Sequence, residues 1–272
     1  MRELLKKNIL IRRLYDGIIA TNYFNRKYWQ ILKWCFNSKE NTNYTYDLTT
    51  KNQDELLKTL ESIFNIDYLK LKKYLNELLD DQDLISHITN KTQNSNFKSF
   101  ADLEVKYGRR IGWYIIVRAL KPRIVVETGV DKGLGSVILS SAIIRNIEEN
   151  FEGKYFGTDI NPGAGYLFCD KYAEVGEILY GDSIESLEKF NHTIDLFIND
   201  SDHSAVYEAN EYETIKDKLS KTGIILGDNS HSTSSLLNFS IKNNREFLLF
   251  KEEPKNHWYP GAGIGISFKK TN

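Results

Sequence analysis

Apolar and polar positions change rhythm near residue 100. Before it, Leu4, Ile11, Leu14 and Ile18, then Leu56, Leu60 and Ile63, then Leu71, Leu75 and Leu79 recur at helical spacing, which gathers them on one face of a helix. Residues 1–98 hold no proline and no glycine beyond Gly17, so the spacing predicts a helical region, broken by an Asn- and Thr-rich loop near 41–53. From 101 onward, ADLEVKYGRRIGWYIIVRALK reads as a helix stopped by Pro122. The runs RIVVET, KYFGTD, EILYG, IDLFIN and GIILGD then each give way to a polar or glycine turn and a helix-like segment. That alternation predicts parallel strands joined by crossover helices. EFLLFK and GIGISFKK are separated by PKNHWYPGAG with no helix between them, which predicts an antiparallel pair at one edge. The expected fold is a doubly wound, mostly parallel seven-stranded α/β sheet over residues 99–272, preceded by a helical region over 1–98.

Composition adds exclusions. A net charge of −1 over 272 residues gives no global attraction for nucleic acid, and none is expected as a partner. Cys35 and Cys169 lack CxxC spacing, which argues against a disulfide scaffold or a cysteine-rich metal site and suits a cytoplasmic location. The first helix carries Arg2, Lys6, Lys7, Arg12 and Arg13, followed by Tyr23, Phe24, Tyr28, Trp29 and Trp34. Charges interrupt its apolar stretch, so it reads neither as a signal peptide nor as a membrane span, and no stable membrane insertion is expected. A basic amphipathic helix of this kind is able to lie on a membrane or grip a partner, but a charge-bearing outer face on a packed helix is the commoner outcome and the one expected, with the N-terminal region serving as lid, substrate wall or homo-oligomer contact.

Candidate chemistry falls at the carboxyl ends of the strands, where open α/β sheets bind ligands. After RIVVET, Glu127 and Gly129 sit at the tip while Gly133 and Gly135 open the next helix, whose free NH groups suit a carboxylate or phosphate. The spacing G-x-x-x-G-x-G is not the dinucleotide fingerprint G-x-G-x-x-G, which argues against an NAD-dependent dehydrogenase. Asp159 ends the second strand in position to take ribose hydroxyls, and Asp182 and Ser183 follow the third, where they face an adenine edge or merely cap a helix. The fourth strand runs into Asn199, Asp200, Asp202 and His203, an acidic ending that is either a solvated loop capped by Ser204 or a working site.

The motifs VVETGVDKGLGS, GTDINP, GDS, IDLFINDSDHS and GIILGDNS stand in the order and spacing of class I S-adenosylmethionine-dependent methyltransferases, and residues 107–268 most resemble bacterial metal-dependent O-methyltransferases with a Rossmann-like sheet. The resemblance implies S-adenosylmethionine held by Glu127, Gly129, Gly133 and Ser136 at the methionine end, Asp159 at the ribose, and Asp182 and Ser183 beside adenine. It also implies a divalent metal, Mg²⁺ by its hard oxygen donors, on Asp200, Asp228 and Asn229. His203, with Asp200, is the expected catalytic pair, His231 the rival base, and His87, His192 and His257 structural. The implied reaction is methylation of a hydroxyl on a small molecule or sugar. Cyclisation or alkyl transfer from the same cofactor, or a non-catalytic binding module, are the competing readings. The resemblance leaves residues 1–98 uncovered.

Overall fold

The computed structural model describes residues 9–39, 45–101 and 104–270, with the side chain of Tyr23 outside that description. Leu4, Arg2, Lys6 and Lys7 lie outside the described residues. A long helix, α1 (Ile9–Asn37), precedes three shorter ones, α2 (Thr50–Phe64), α3 (Tyr68–Leu79) and α4 (Gln82–Gln93). Their starts are chemically fixed: Thr49, Asp67 and Asp81 each accept a backbone NH of the first turn. Then come α5 (Arg110–Leu120), β1 (Ile124–Thr128), α6 (Leu134–Glu148), β2 (Lys154–Asp159), β3 (Gly176–Tyr180), α7 (Ser183–Lys189), β4 (Ile194–Asn199), α8 (Ala205–Ile215), β5 (Leu219–Gly227), α9 (Ser235–Lys242), β6 (Glu246–Lys251) and β7 (Gly263–Phe268). The seven strands form one sheet in the order β3-β2-β1-β4-β5-β7-β6. The first five run parallel, and β7 lies antiparallel between β5 and β6, as the sequence pattern predicts.

Two expectations are corrected. The helix anticipated from residue 101 begins only at Arg110, because Gly108 has a φ of +50° and turns the chain just ahead of it. The first helix is not a packed helix with a charged outer face: its apolar side chains Leu14, Ile18, Trp29 and Phe36 are 61%, 64%, 70% and 87% exposed.

The other N-terminal helices are integral to the catalytic half. Leu56, Leu57 and Leu60 of α2 and Leu71, Leu75 and Leu78 of α3 join Ile115, Val137, Tyr155 and Leu196 in one continuous core on one face of the sheet. The opposite face buries Phe156, Phe197, Tyr212, Ile225 and Phe239. Residues 45–52 are clipped to the β6–β7 connection: Leu48 bridges Pro254, Thr49 N donates to Glu253 O at 2.9 Å, and Asn52 bonds Lys251 O at 3.0 Å. The shared core generates a prediction. Leu60→Ala is expected to lower stability by about 2–5 kcal/mol in a single denaturant transition. A separate early transition for the helices, with the sheet unaffected, would contradict the shared core.

Candidate active site

Parallel pairing brings the carboxyl ends of β1, β4 and β5 side by side, since Thr128 pairs with Asn199 and Asn199 with Gly227. The residues that follow are tied in the same order: Asp200 N donates to Thr128 O at 2.9 Å and Asp228 N to Asn199 O at 2.8 Å. Gly129 is required at this junction. Its φ is +85°, and a Cβ there would stand 2.0 Å from the Asp200 carbonyl oxygen.

Two cavities open beyond these tips. The first, about 380 Å³, is lined by Gly129, Asp131, Asp159, Asp182, Ser183 and Tyr207 among others. Asp159 is held there by two backbone donors, Asp131 N on Oδ2 and Asn161 N on Oδ1, both at 2.8 Å. Each carboxylate oxygen keeps a further lone pair, so the group is fixed in place and still able to accept two hydroxyls. Asp182 caps α7 through Glu185 N and accepts the Tyr207 hydroxyl at 2.8 Å, so its cap role and its place on the cavity wall coexist. The second cavity, about 360 Å³, is lined by Tyr46, Arg109, Arg110, His203, Asp228, Asn229 and Tyr259. The two share Gly129, Asp131, Asp200 and Ser201 as a common wall.

The second cavity is built around an acid pair. Burial and the neighbouring Asp228 carboxylate raise the Asp200 pKa, while Arg109 and Arg110 pull it down. The Arg109 Nη2 stands 2.8 Å from Asp228 and 3.2 Å from Asp200, and Arg110 lies 3.7 Å from Asp200. Burial works against the Arg109 charge, but the two carboxylates outweigh it and hold its pKa well above the ordinary value. His203 faces the same pair, its Nε2 3.8 Å from Asp200 and 3.9 Å from Asp228, with Nδ1 3.7 Å from Glu208. Ligand atoms of Asp200, His203 and Asp228 lie within 4.8 Å of one another, and Asp228 Oδ1 is buried without a hydrogen-bond partner. The two carboxylates of that cluster fit a divalent cation, with His203 beside it, on condition that Arg109 withdraws from them. Asn229, at a left-handed φ of 52°, keeps its amide nitrogen 3.3 Å from Asp228 Oδ2.

Glu127 and Ser136 lie behind the wall rather than on it. Ser136 donates to Glu127 at 3.2 Å and the Tyr155 hydroxyl at 2.5 Å, beneath the turn that Gly133 closes at the start of α6. Burial pushes Glu127 up to about 7 against those two bonds. A second buried acid, Glu211 on α8, accepts from Thr128 and Ser201 at 3.2 and 2.9 Å and also from Asn199 and Ser183. One carboxylate thereby joins the tips of β1 and β4 to the turn after β3. Of the histidines, His231 accepts Gly263 N on Nδ1 at 2.9 Å and lines neither of the two cavities. His87 bonds Leu167 O at 2.8 Å, His192 packs on Phe156 and Phe190, and His257 accepts Tyr259 N at 3.0 Å, each the structural role expected.

Sequence reasoning missed Arg109, Arg110, Tyr207, Glu208, Glu211 and Tyr46. For the arginines a signal was present: two cations opening the helix GRRIGWYIIV oppose its dipole, a placement that calls for acids facing them. The others come from long-range packing that spacing does not encode.

Residues 126–230 match the family model for a methyltransferase domain. No curated protein matches the sequence. Among solved structures, the O-methyltransferase TomG from Streptomyces achromogenes, involved in tomaymycin synthesis and in complex with SAM, is similar over 71% of this chain and 92% of that one, with 10% identity and a TM-score of 0.50. Cofactor-bound Rv0187 from MTB is similar over the same shares, 71% and 92%, with 12% identity and a TM-score of 0.51. At such identities the likeness speaks for the fold. Residues 126–230 thus match a methyltransferase domain, and the sheet has the Rossmann-like strand order of the fold these structures share.

Two predictions follow from this geometry. Asp159→Ala is expected to weaken S-adenosylhomocysteine binding at least about tenfold by calorimetric titration, through the lost pair of hydroxyl acceptors; unchanged affinity would remove Asp159 from the ribose role. Arg109→Ala leaves two buried carboxylates facing each other and is expected to cost about 3–5 kcal/mol in thermal or urea unfolding, partly recovered by Mg²⁺. A variant as stable as the parent without added cation would contradict the pairing.

Proposed function

We propose that the enzyme methylates a hydroxyl oxygen of a small molecule or sugar bound in the second cavity. The observation that carries this reading is the shared wall of Gly129, Asp131, Asp200 and Ser201, across which a cofactor in the first cavity would meet an acceptor beside His203. Asp159 fixes the ribose, Asp182 and Ser183 border the adenine, and Gly129, packed on the Asp200 backbone, lines both cavities. Tyr46 and Tyr259, with ring centres 5.7 Å apart and planes inclined at 38°, offer the acceptor aromatic surface within an otherwise charged chamber.

His203 is the base in this reading. Glu208 raises its pKa most, burial opposes, and Asp228 and Asp200 add to the rise. The net effect raises the His203 pKa, and it is the neutral ring that takes a proton from the acceptor hydroxyl. A divalent cation on Asp200, Asp228 and Asn229, when bound, supplies a Lewis acid that lowers the pKa of the acceptor hydroxyl. Arg109 is the counter-charge of the same carboxylates in the absence of that cation.

The tests separate these parts. Product analysis by mass spectrometry is expected to find S-adenosylhomocysteine and a methylated acceptor; methylthioadenosine would instead indicate alkyl transfer from the same cofactor. His203→Ala is expected to lower kcat by about 10² or more with cofactor affinity kept. The rate of the parent enzyme should fall as pH drops through the His203 pKa, and Glu208→Gln, by removing the largest upward influence on that group, should move this acid limb to lower pH. An unmoved limb would take the base role away from His203. Full turnover in excess EDTA would remove the cation while leaving His203 as base.

A further inference from the structure

We propose that α1 is a surface anchor that lies along an anionic lipid membrane and holds the enzyme there. At 3.6 residues per turn, Leu14, Ile18, Tyr28, Trp29 and Phe36 fall within one arc of the helix, while Arg12, Arg13, Arg26, Lys27 and Lys33 fall within the opposite one. Over its 29 residues the helix extends about 43 Å. The apolar arc faces outward: besides the four exposures given above, Tyr28 is 63% exposed. The helix meets the rest of the molecule through its other side, where Trp34 packs edge-on against Trp258 at 5.4 Å and His257 at 6.4 Å.

Charge selects the occupant of that arc. The first 37 residues carry eight basic and two acidic side chains, net +6, against −7 over the remainder of a chain whose total is −1. A second copy of the helix would bring like charge to like, whereas an anionic headgroup layer accepts both halves of the pattern, with basic side chains at the phosphates and Trp, Tyr, Phe, Leu and Ile at the acyl boundary. No helix among the described residues is long and apolar enough to cross a membrane, so the contact is lateral. Trp258 adjoins Tyr259 of the acceptor cavity, which places the anchor beside the region through which an acceptor reaches the site.

Flotation of the full chain with phosphatidylcholine vesicles, with and without about one-third phosphatidylglycerol, tests the anchor. The parent chain is expected to partition at least about tenfold more onto the anionic vesicles and to lose that excess at about 0.5 M salt. The double variants Leu14→Glu/Trp29→Glu and Arg12→Gln/Arg13→Gln should each lose on the order of tenfold in partitioning. Both should keep parental affinity for S-adenosylhomocysteine, which certifies the fold, since none of these residues touches either cavity. Equal partitioning onto neutral and anionic vesicles, or binding that the variants leave unchanged, overturns the proposal. So does a dimer in light scattering that Leu14→Glu/Trp29→Glu dissolves while the parent ignores vesicles, an outcome that assigns the arc to a second copy.

Discussion

Two carboxylates on adjacent strand tips repel each other, and the site is organised around meeting that repulsion with a cation. Asp200 and Asp228 arrive together because β4 and β5 are parallel neighbours and their last residues are bonded in register. Desolvated like charges at such range are unfavourable by several kcal/mol unless a counter-charge intervenes. Arg109 supplies one from the start of α5, outside the sheet. The consequence is an exchangeable charge balance: the guanidinium satisfies the pair at rest, and a divalent cation, in the proposed reaction, takes its place at the acceptor.

The rest of the molecule holds those tips in position. Glu211 gathers four donors from β1, β4, the loop after β4 and the start of α7, and Glu127 braces the glycine turn from behind with Tyr155 and Ser136. Helices α2 and α3 share the core under α5, so the arginine's helix is packed from both sides. The 45–52 segment, bonded to the β6–β7 connection, delivers Tyr46 to the second cavity, where its hydroxyl donates to the buried Glu252 at 2.5 Å. The N-terminal region is therefore part of the chamber and not an accessory to it.

Much of this was legible in the chain because it rests on local periodicity. Short apolar runs ending in polar or glycine turns located all seven strands, and the missing helix between EFLLFK and GIGISFKK announced the antiparallel edge. Acids and glycines at strand ends marked Asp159, Asp182, Asp200 and Asp228, because the topology sends every parallel strand tip to one side. What stayed hidden depends on packing across long sequence separations: Glu211 meets Thr128 across 83 residues, and Arg109 meets Asp200 across 91. Glu127 was legible as a strand-tip acid, but its side chain turns inward beneath the glycine turn, a direction that its position alone does not fix. The amphipathic pattern of α1 was equally visible, yet pattern cannot say whether an apolar arc meets a core or faces outward.

Competition between a guanidinium and a metal for the same two carboxylates is measured directly by Mn²⁺ titration, followed by electron paramagnetic resonance, on the parent chain and Arg109→Ala. One site is expected on each, with the variant binding at least about tenfold more tightly because no buried cation has to be displaced. Equal affinity in the two proteins, or no Mn²⁺ site on either, would contradict it.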